Sequence, residues 1–276
     1  MKNEQQKKTG NYYQIVSEHF DEDARLFEQR YRQNTVLQKI REDFRRLTEQ
    51  YAFSNALEIG CGPGIDLVYF ARKYPGKSFS AIDVSPEMVK RSENNLKKNA
   101  LTNARVKTGH TGNIYTLFPD RKFDLIYVYF GGLNTVYSLR EAALHLSAIA
   151  APGAIFILTS VNRFYLMDFV YKSMKFKFKE GVSRFRNQWK GYSPGRNLPS
   201  HVYSTSFIKR TFAPEFQILF RRGYSLFYPP WFGARPLHDI PLLSQGLWKL
   251  DGWLQKTPFW NTGEYSIYIM KHRSNS

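Results

Sequence analysis

From residue 55 to residue 159, short apolar runs alternate with stretches whose apolar residues recur at helical spacing, the pattern of a parallel sheet with crossover helices. The runs predict strands at Ala56–Ile59, Phe79–Ile82, Ala104–Lys107, Leu125–Val128 and Ala154–Leu158, with helices over Ile65–Lys73, Pro86–Asn99 and Leu139–Ala150. Ser85 ahead of Pro86 is a helix cap followed by a residue suited to the first turn, and Pro152-Gly153 reads as the turn that launches the fifth strand. Before the sheet, Tyr12 to Tyr51 reads as two helices, with Val36, Ile40, Phe44 and Leu47 at helical spacing, expected to form a lid and an edge packing element. After it, Arg163 to Arg196 matches no sheet element. Phe207–Phe212 then reads as a short helix, and Phe216–Tyr228 and Glu264–Lys271 read as two further strands, which makes seven in an α/β fold.

Four segments follow from this pattern. Residues 1–54 are a helical lid, 55–161 a ligand-binding core, 162–203 a basic aromatic insertion, and 204–276 the rest of the core sheet with a second insertion at 229–262. The 276 residues can bury a sizeable core without metal or disulfide help. No metal site is expected. The single cysteine, Cys61, excludes an internal disulfide framework and suits a reducing, cytoplasmic compartment. No long uncharged apolar run and no apolar N-terminal core appear, so neither a membrane span nor a signal peptide is expected.

Charge separates the two halves. The formal net charge is +17, but residues 1–161 hold 22 basic against 17 acidic side chains, whereas 162–276 hold 18 against 6. All five tryptophans (Trp189, Trp231, Trp248, Trp253 and Trp260) lie in the basic half. Such a field attracts anionic partners without choosing among lipid surfaces, nucleic acid and acidic substrates.

The most specific chemical signal is Ala56-Leu57-Glu58-Ile59-Gly60-Cys61-Gly62-Pro63-Gly64, an apolar strand running into three alternate glycines and a helix. Side chains at the glycine positions would obstruct close approach of a ligand to the backbone. The spacing G-x-G-x-G, with an acid just before it, differs from the dinucleotide fingerprint G-x-G-x-x-G. A second acid, Asp83, ends the next predicted strand at the offset from which a carboxylate reaches ribose hydroxyls. Taken alone, the glycine run has a ligand-free turn as its competing reading, and a lone aspartate at a strand end is usually a helix cap or a solvated residue.

Together these residues resemble the first two motifs of the Class I, Rossmann-like S-adenosylmethionine-dependent methyltransferases, those of small-molecule and lipid type. The likeness runs over roughly residues 12 to 160. It implies a mostly parallel sheet with helices on both faces, capped by the N-terminal helices and the C-terminal insertions. It also implies that S-adenosylmethionine is the cofactor. Glu58 would orient the glycine loop and help place the cofactor's amino group, and Gly60, Cys61, Gly62 and Gly64 would line its methionine moiety. Asp83 would hold the ribose, Met88 would pack near the adenine, and Val84 and Val128 join the cofactor-binding set. Cys61 is then a small wall residue rather than a nucleophile. Thr108-Gly109-His110-Thr111 departs from the family's Gly-Asp-Ala, since His110 stands where an aspartate is expected. A neutral His110 can accept from the adenine amine and the Thr111 backbone can serve the ring; a loop histidine without a duty is the competing reading.

The run Phe123 to Asn134 resembles the family's fourth motif. The amino-methylation signature Asn/Asp-Pro-Pro-Tyr/Phe is absent, and Phe130-Gly131-Gly132-Leu133-Asn134 resembles a run found in methyltransferases of small or lipophilic acceptors. Tyr129 and Asn134 become candidates for holding the acceptor, and His201 is the candidate base if the acceptor must lose a proton. His145, within a predicted helix, reads as packing or surface. In 163–196, basic residues interleave with aromatics such as Phe176, Phe185 and Trp189, which fits an anionic bilayer surface, stacking on single-stranded nucleic acid, or a plain substrate lid. Leu247, Trp248, Leu250, Trp253 and Leu254 form a further helical stripe. The expectation is methyl transfer to O, N or C of a small, lipophilic acceptor, with the protein cytoplasmic and peripheral at a membrane. The alternatives are an RNA methyltransferase and a non-catalytic cofactor-binding partner.

Overall fold

The computed structural model describes residues 2–176, 198–228 and 241–273. Two helices, α1 (Lys2–Arg32) and α2 (Thr35–Thr48), precede β1 (Asn55–Ile59), α3 (Ile65–Lys73), β2 (Ser78–Asp83), α4 (Pro86–Lys98) and β3 (Ala104–Thr108). A short helix α5 (Ile114–Leu117), β4 (Phe123–Val128), α6 (Leu139–Ile149) and β5 (Ala150–Val161) follow, then α7 (Leu166–Met174), α8 (Thr205–Phe212), β6 (Phe216–Tyr224), α9 (Pro241–Leu254) and β7 (Tyr265–His272). The seven strands form one sheet in the order β3-β2-β1-β4-β5-β7-β6, and β7 is the strand that runs against the rest.

The sheet carries core on both faces because its central strands are apolar on both. One layer joins Leu57, Ile126 and Phe156 to α6 and α8 through Leu146, Ile208 and Phe212. The other joins Ala56, Leu125 and Ile157 to α2, α3 and α4 through Phe44, Phe70 and Leu96. At the start of α4 the Ser85 hydroxyl accepts the Met88 N–H at 3.0 Å with Pro86 in the first turn, as the sequence predicts.

Several boundaries differ from the sequence reading. Pro152-Gly153 lies inside β5, not ahead of it, because β5 begins at Ala150 and α6 stops at Ile149. The register with β4 breaks between Phe123 and Leu125, and Gly153 adopts φ +73°, so the pair forms a bulge of the kind only glycine enters easily. β6 ends at Tyr224 rather than Tyr228, and the 163–196 stretch contains α7 before residues 177–197, which lie outside the described residues, as do residues 229–240 of the second insertion. α1 also starts ten residues earlier than Tyr12. No helix among the described residues is long and apolar enough to cross a membrane.

α1 lies across the carboxyl ends of the strands and is tied down at both flanks. The Tyr12 hydroxyl donates to the carbonyls of Val136 (3.3 Å) and Pro199 (3.0 Å). The Asp21 carboxylate accepts from the Ser85 hydroxyl and from the Glu87 N–H at 3.0 Å, at the first turn of α4.

Candidate active site

β1 delivers the chain to Gly60 at the carboxyl edge of the sheet, where the Gly60 and Cys61 N–H groups both donate to the Ile82 carbonyl, at 2.8 and 3.1 Å. The Gly62 N–H donates to Asp83 Oδ2 at 2.7 Å, and the Ser85 N–H to Asp83 Oδ1 at 3.0 Å. One carboxylate therefore fastens the glycine loop to the end of β2. Each oxygen keeps a lone pair for a further donor.

The glycines serve two purposes. Gly60 and Gly62 take φ +68° and +53°, and a side chain built on either meets no protein atom closer than 3.6 Å; at Gly62 the nearest is the Phe27 ring at 3.9 Å. Their missing side chains leave a cradle that a Cβ would partly fill. Gly64 is different. At φ +79° it caps α3, and a Cβ there would lie 2.3 Å from the Ser92 hydroxyl, so its bareness lets α3 close on α4 and it does not line the cavity.

The cradle opens into a cavity that is continuous with solvent. Its floor contains Glu58, Gly60, Cys61, Gly62, Asp83 and Val84, with Met88, His110 and Thr111 on one flank and Phe130 to Gly132 on the other. Val128 is not on its surface: it is fully buried beneath Gly132, whose absent Cβ would meet Val128 Cγ1 at 2.9 Å. The roof comes from α1 and α2, through Tyr13, Val16, His19, Phe20, Phe27 and Arg41. Those roof residues escaped the sequence reading, because a helical stripe shows only that a face is apolar and not which strand ends it covers. Phe130 was passed over for its neighbours, yet it holds φ +51° before Gly131 at +78°, two consecutive left-handed residues that turn its ring toward α2.

Charge beneath the cradle is organised by α2. The carboxylate of Asp66 pairs with Arg41 and, at 2.7 Å, with Arg45 Nε, all three largely buried. Arg41 also lies over the Phe130 ring (4.6 Å) and the Tyr31 ring (4.4 Å), and its Nε is buried with no hydrogen-bond partner among the described residues. Glu58 accepts from the Tyr127 hydroxyl at 3.2 Å, and its pKa lies well above the usual carboxylate value because it is buried and faces Asp66. Burial also raises Asp83, to about 6, against its backbone hydrogen bonds. The Cys61 thiol is pushed far up by burial and by Asp83, which keeps it protonated and makes it a wall residue.

His110 takes part, in a different way from that expected. Its ring stacks on Tyr13 at 3.8 Å, and its Nδ1 accepts the Gly112 N–H at 3.1 Å. That bond assigns the ring proton to Nε2, so the neutral imidazole, favoured by burial, presents a donor and cannot accept from an adenine amine; a ring nitrogen is the matching group.

The three candidate acceptor-handling residues do not converge. Tyr129 borders the cavity, but its hydroxyl is engaged by the Thr48 hydroxyl and by the Phe44 carbonyl at 3.3 Å, tying β4 to α2. Asn134 is buried: its Oδ1 accepts the Val161 N–H at 3.0 Å and its Nδ2 donates to the His201 carbonyl at 2.7 Å. His201 is held through its backbone by that clamp, and its ring lies beside Tyr203, away from the cavity lining. The histidines that do line the cavity are His19 and His110. Among the described residues no cluster could hold a metal ion.

Residues 56–153 match a family model described as methyltransferase domain. Solved structures with this fold include an S-adenosylmethionine-dependent methyltransferase from Clostridium acetobutylicum, at 16% identity and TM-score 0.53 over 84% of this chain and 90% of that one. The YcgJ protein from Bacillus subtilis is similar at 17% identity and TM-score 0.53, over 86% of this chain and 100% of that one. A third, the [4+2]-cyclase SpnF, gives 16% identity and TM-score 0.55 over 83% and 82% of the two chains. No curated protein matches. These likenesses carry the Class I, Rossmann-like fold.

Proposed function

We propose that this chain, whose residues 56–153 match the methyltransferase-domain family, transfers the methyl group of S-adenosylmethionine to an oxygen, nitrogen or carbon of a small lipophilic acceptor. The observation that carries the reading is the cradle: two bare, left-handed glycines held open by Asp83, whose oxygens keep free lone pairs toward a cavity roofed by aromatic side chains.

The residues present fit the donor. Asp83 can accept from both ribose hydroxyls, Met88 and Val84 offer apolar walls to an adenine, and His110 offers an N–H to a ring nitrogen. Arg41, with an unpartnered buried Nε at the cavity wall, suits the donor's carboxylate, while Glu58, also on the cavity lining, would serve its ammonium. When bound, the sulfonium supplies both the methyl group and the leaving group. The chain then has to align the acceptor in line with the methyl and exclude water. Phe20, Phe27, Phe130 and Tyr31 form an apolar, π-rich wall suited to that work and to a lipophilic acceptor. For acceptors that lose a proton, His19 on the cavity wall is the candidate base, since His110 has its one free lone pair engaged by the Gly112 N–H.

The test is to incubate the protein and methyl-labelled S-adenosylmethionine with an extract separated into lipid, small-molecule and RNA pools. Label in the lipid or small-molecule pool is the expected result. Label confined to RNA would replace the acceptor class, and no label in any pool would remove the transferase reading.

A further inference from the structure

Both helices of the cap carry an outward apolar face. On α7, Leu166, Val170 and Met174 are exposed at spacings of four residues, flanked by exposed Phe164 and Phe176; Met174 is 76% exposed and Phe176 86%. On α9, Leu242, Leu243, Leu250 and Trp253 occupy one side, Leu242 at 84% and Trp253 at 65%, with exposed Lys249 at the border of the stripe and Lys256 just beyond the helix. The opposite side of α9 is committed to the protein, where Trp248 packs against Tyr228 and Asp251 accepts the N–H groups of Leu226, Phe227 and Tyr228 at 3.0, 2.7 and 3.2 Å.

Topology puts both helices at the same end of the molecule. β5 and β6 each run antiparallel to β7, hence in the same direction as one another and as β4, so the chain leaves both at the carboxyl edge of the sheet, where the cavity lies. α7 begins five residues after β5 ends, and Asp251 docks α9 onto the residues that follow β6. This half of the chain is also the strongly basic one, with 18 basic against 6 acidic side chains.

From this juxtaposition we infer that α7 and α9 seat the protein on an anionic lipid bilayer, with the cavity end of the sheet toward the membrane. Apolar outward faces, with Trp253 on one helix and Phe164 and Phe176 flanking the other, enter the headgroup boundary, and the exposed Lys175, Lys249 and Lys256 meet lipid phosphates. A cluster of methionine, leucine and tryptophan side chains this exposed is otherwise unfavourable on a water-facing helix. The inference goes beyond the acceptor class proposed above and gives a lipophilic acceptor a route to the site.

Co-sedimentation of the full chain with vesicles tests it, without donor or acceptor, so that its outcome is independent of the methyl-transfer reading. Vesicles of phosphatidylcholine with phosphatidylglycerol should bind the protein, phosphatidylcholine alone should bind it less, and added salt should weaken the binding without abolishing it. The double variant Met174→Glu, Trp253→Glu should lose about tenfold or more in vesicle affinity at an unchanged thermal midpoint. If that variant fails to fold, Lys249→Glu with Lys256→Glu, which changes only exposed charge, should reduce binding to the anionic vesicles alone. No binding to anionic vesicles, or binding equal in the folded variants, overturns the inference. So does a stable dimer in solution that the same substitutions dissociate, or binding of single-stranded RNA in place of vesicles.

Discussion

At the scale of single residues, Gly62 and Asp83 carry the most testable chemistry, because one supplies space and the other supplies the bond that keeps the space open. A β-branched side chain at Gly62 would have to hold φ +53° and would project into the cradle beside Phe27. Gly62→Val should abolish binding of labelled S-adenosylmethionine in equilibrium dialysis while leaving the circular dichroism of the sheet in place. Asp83 titrates at about 6 in the free protein, raised from 3.8, and ribose hydroxyls are held by its ionised form. Donor binding thus favours loss of the proton, so affinity should fall as the pH drops below about 6 and level off above it. Asp83→Asn should remove that step and weaken binding by ~1.5–3 kcal/mol, the range for a charge-assisted hydrogen bond. A flat profile in the unaltered protein would detach Asp83 from the donor. Both residues were legible in the sequence, since a bare turn after one strand and an acid after the next are local features. His110 was legible only in position: its role depended on Gly112 N–H reaching Nδ1, a detail of a single turn that residue type does not encode.

At the scale of elements, α2 and the β4–β5 edge explain why some readings missed. Tyr129 and Asn134 stand where open parallel sheets bind ligands, and chain position alone marks them as acceptor residues. Both side chains instead satisfy buried groups of neighbouring elements, Tyr129 toward α2 and Asn134 toward β5 and the strand-like stretch at His201. Removing Asn134 strands a buried N–H at Val161 and a carbonyl at His201, so Asn134→Ala should cost about 1–3 kcal/mol in urea unfolding and leave donor affinity of the folded protein unchanged. The α2 network predicts a larger loss. Asp66 is the buried partner of both Arg41 and Arg45, and Asp66→Ala leaves two desolvated cations unmatched, with an expected cost of about 3–5 kcal/mol. A loss below 1 kcal/mol would show that the pairs are cosmetic. The sequence placed α2 correctly from Val36, Ile40, Phe44 and Leu47, but gave no sign of its arginines' partner, because Asp66 lies about 20 residues away on α3 and meets them only through the packing of the two helices.

For the whole molecule, the strands and crossover helices of the core were legible because a sheet buried on both faces writes continuous apolar runs into the chain. The roof of the cavity was not. α1 is polar along most of its length, and the few side chains it lowers into the cavity, Tyr13, Val16, His19, Phe20 and Phe27, gain meaning only when the helix is laid over the strand ends by Tyr12 and Asp21. The result is one cavity with a cradle from the core sheet and a hydrophobic roof from a separate part of the chain. Calorimetric titration of the full chain with S-adenosylmethionine tests this account most directly. It should show one site per chain, with no heat of binding for a nicotinamide dinucleotide. Saturating S-adenosylmethionine without a binding signal, or tight binding of the dinucleotide in its place, would contradict it.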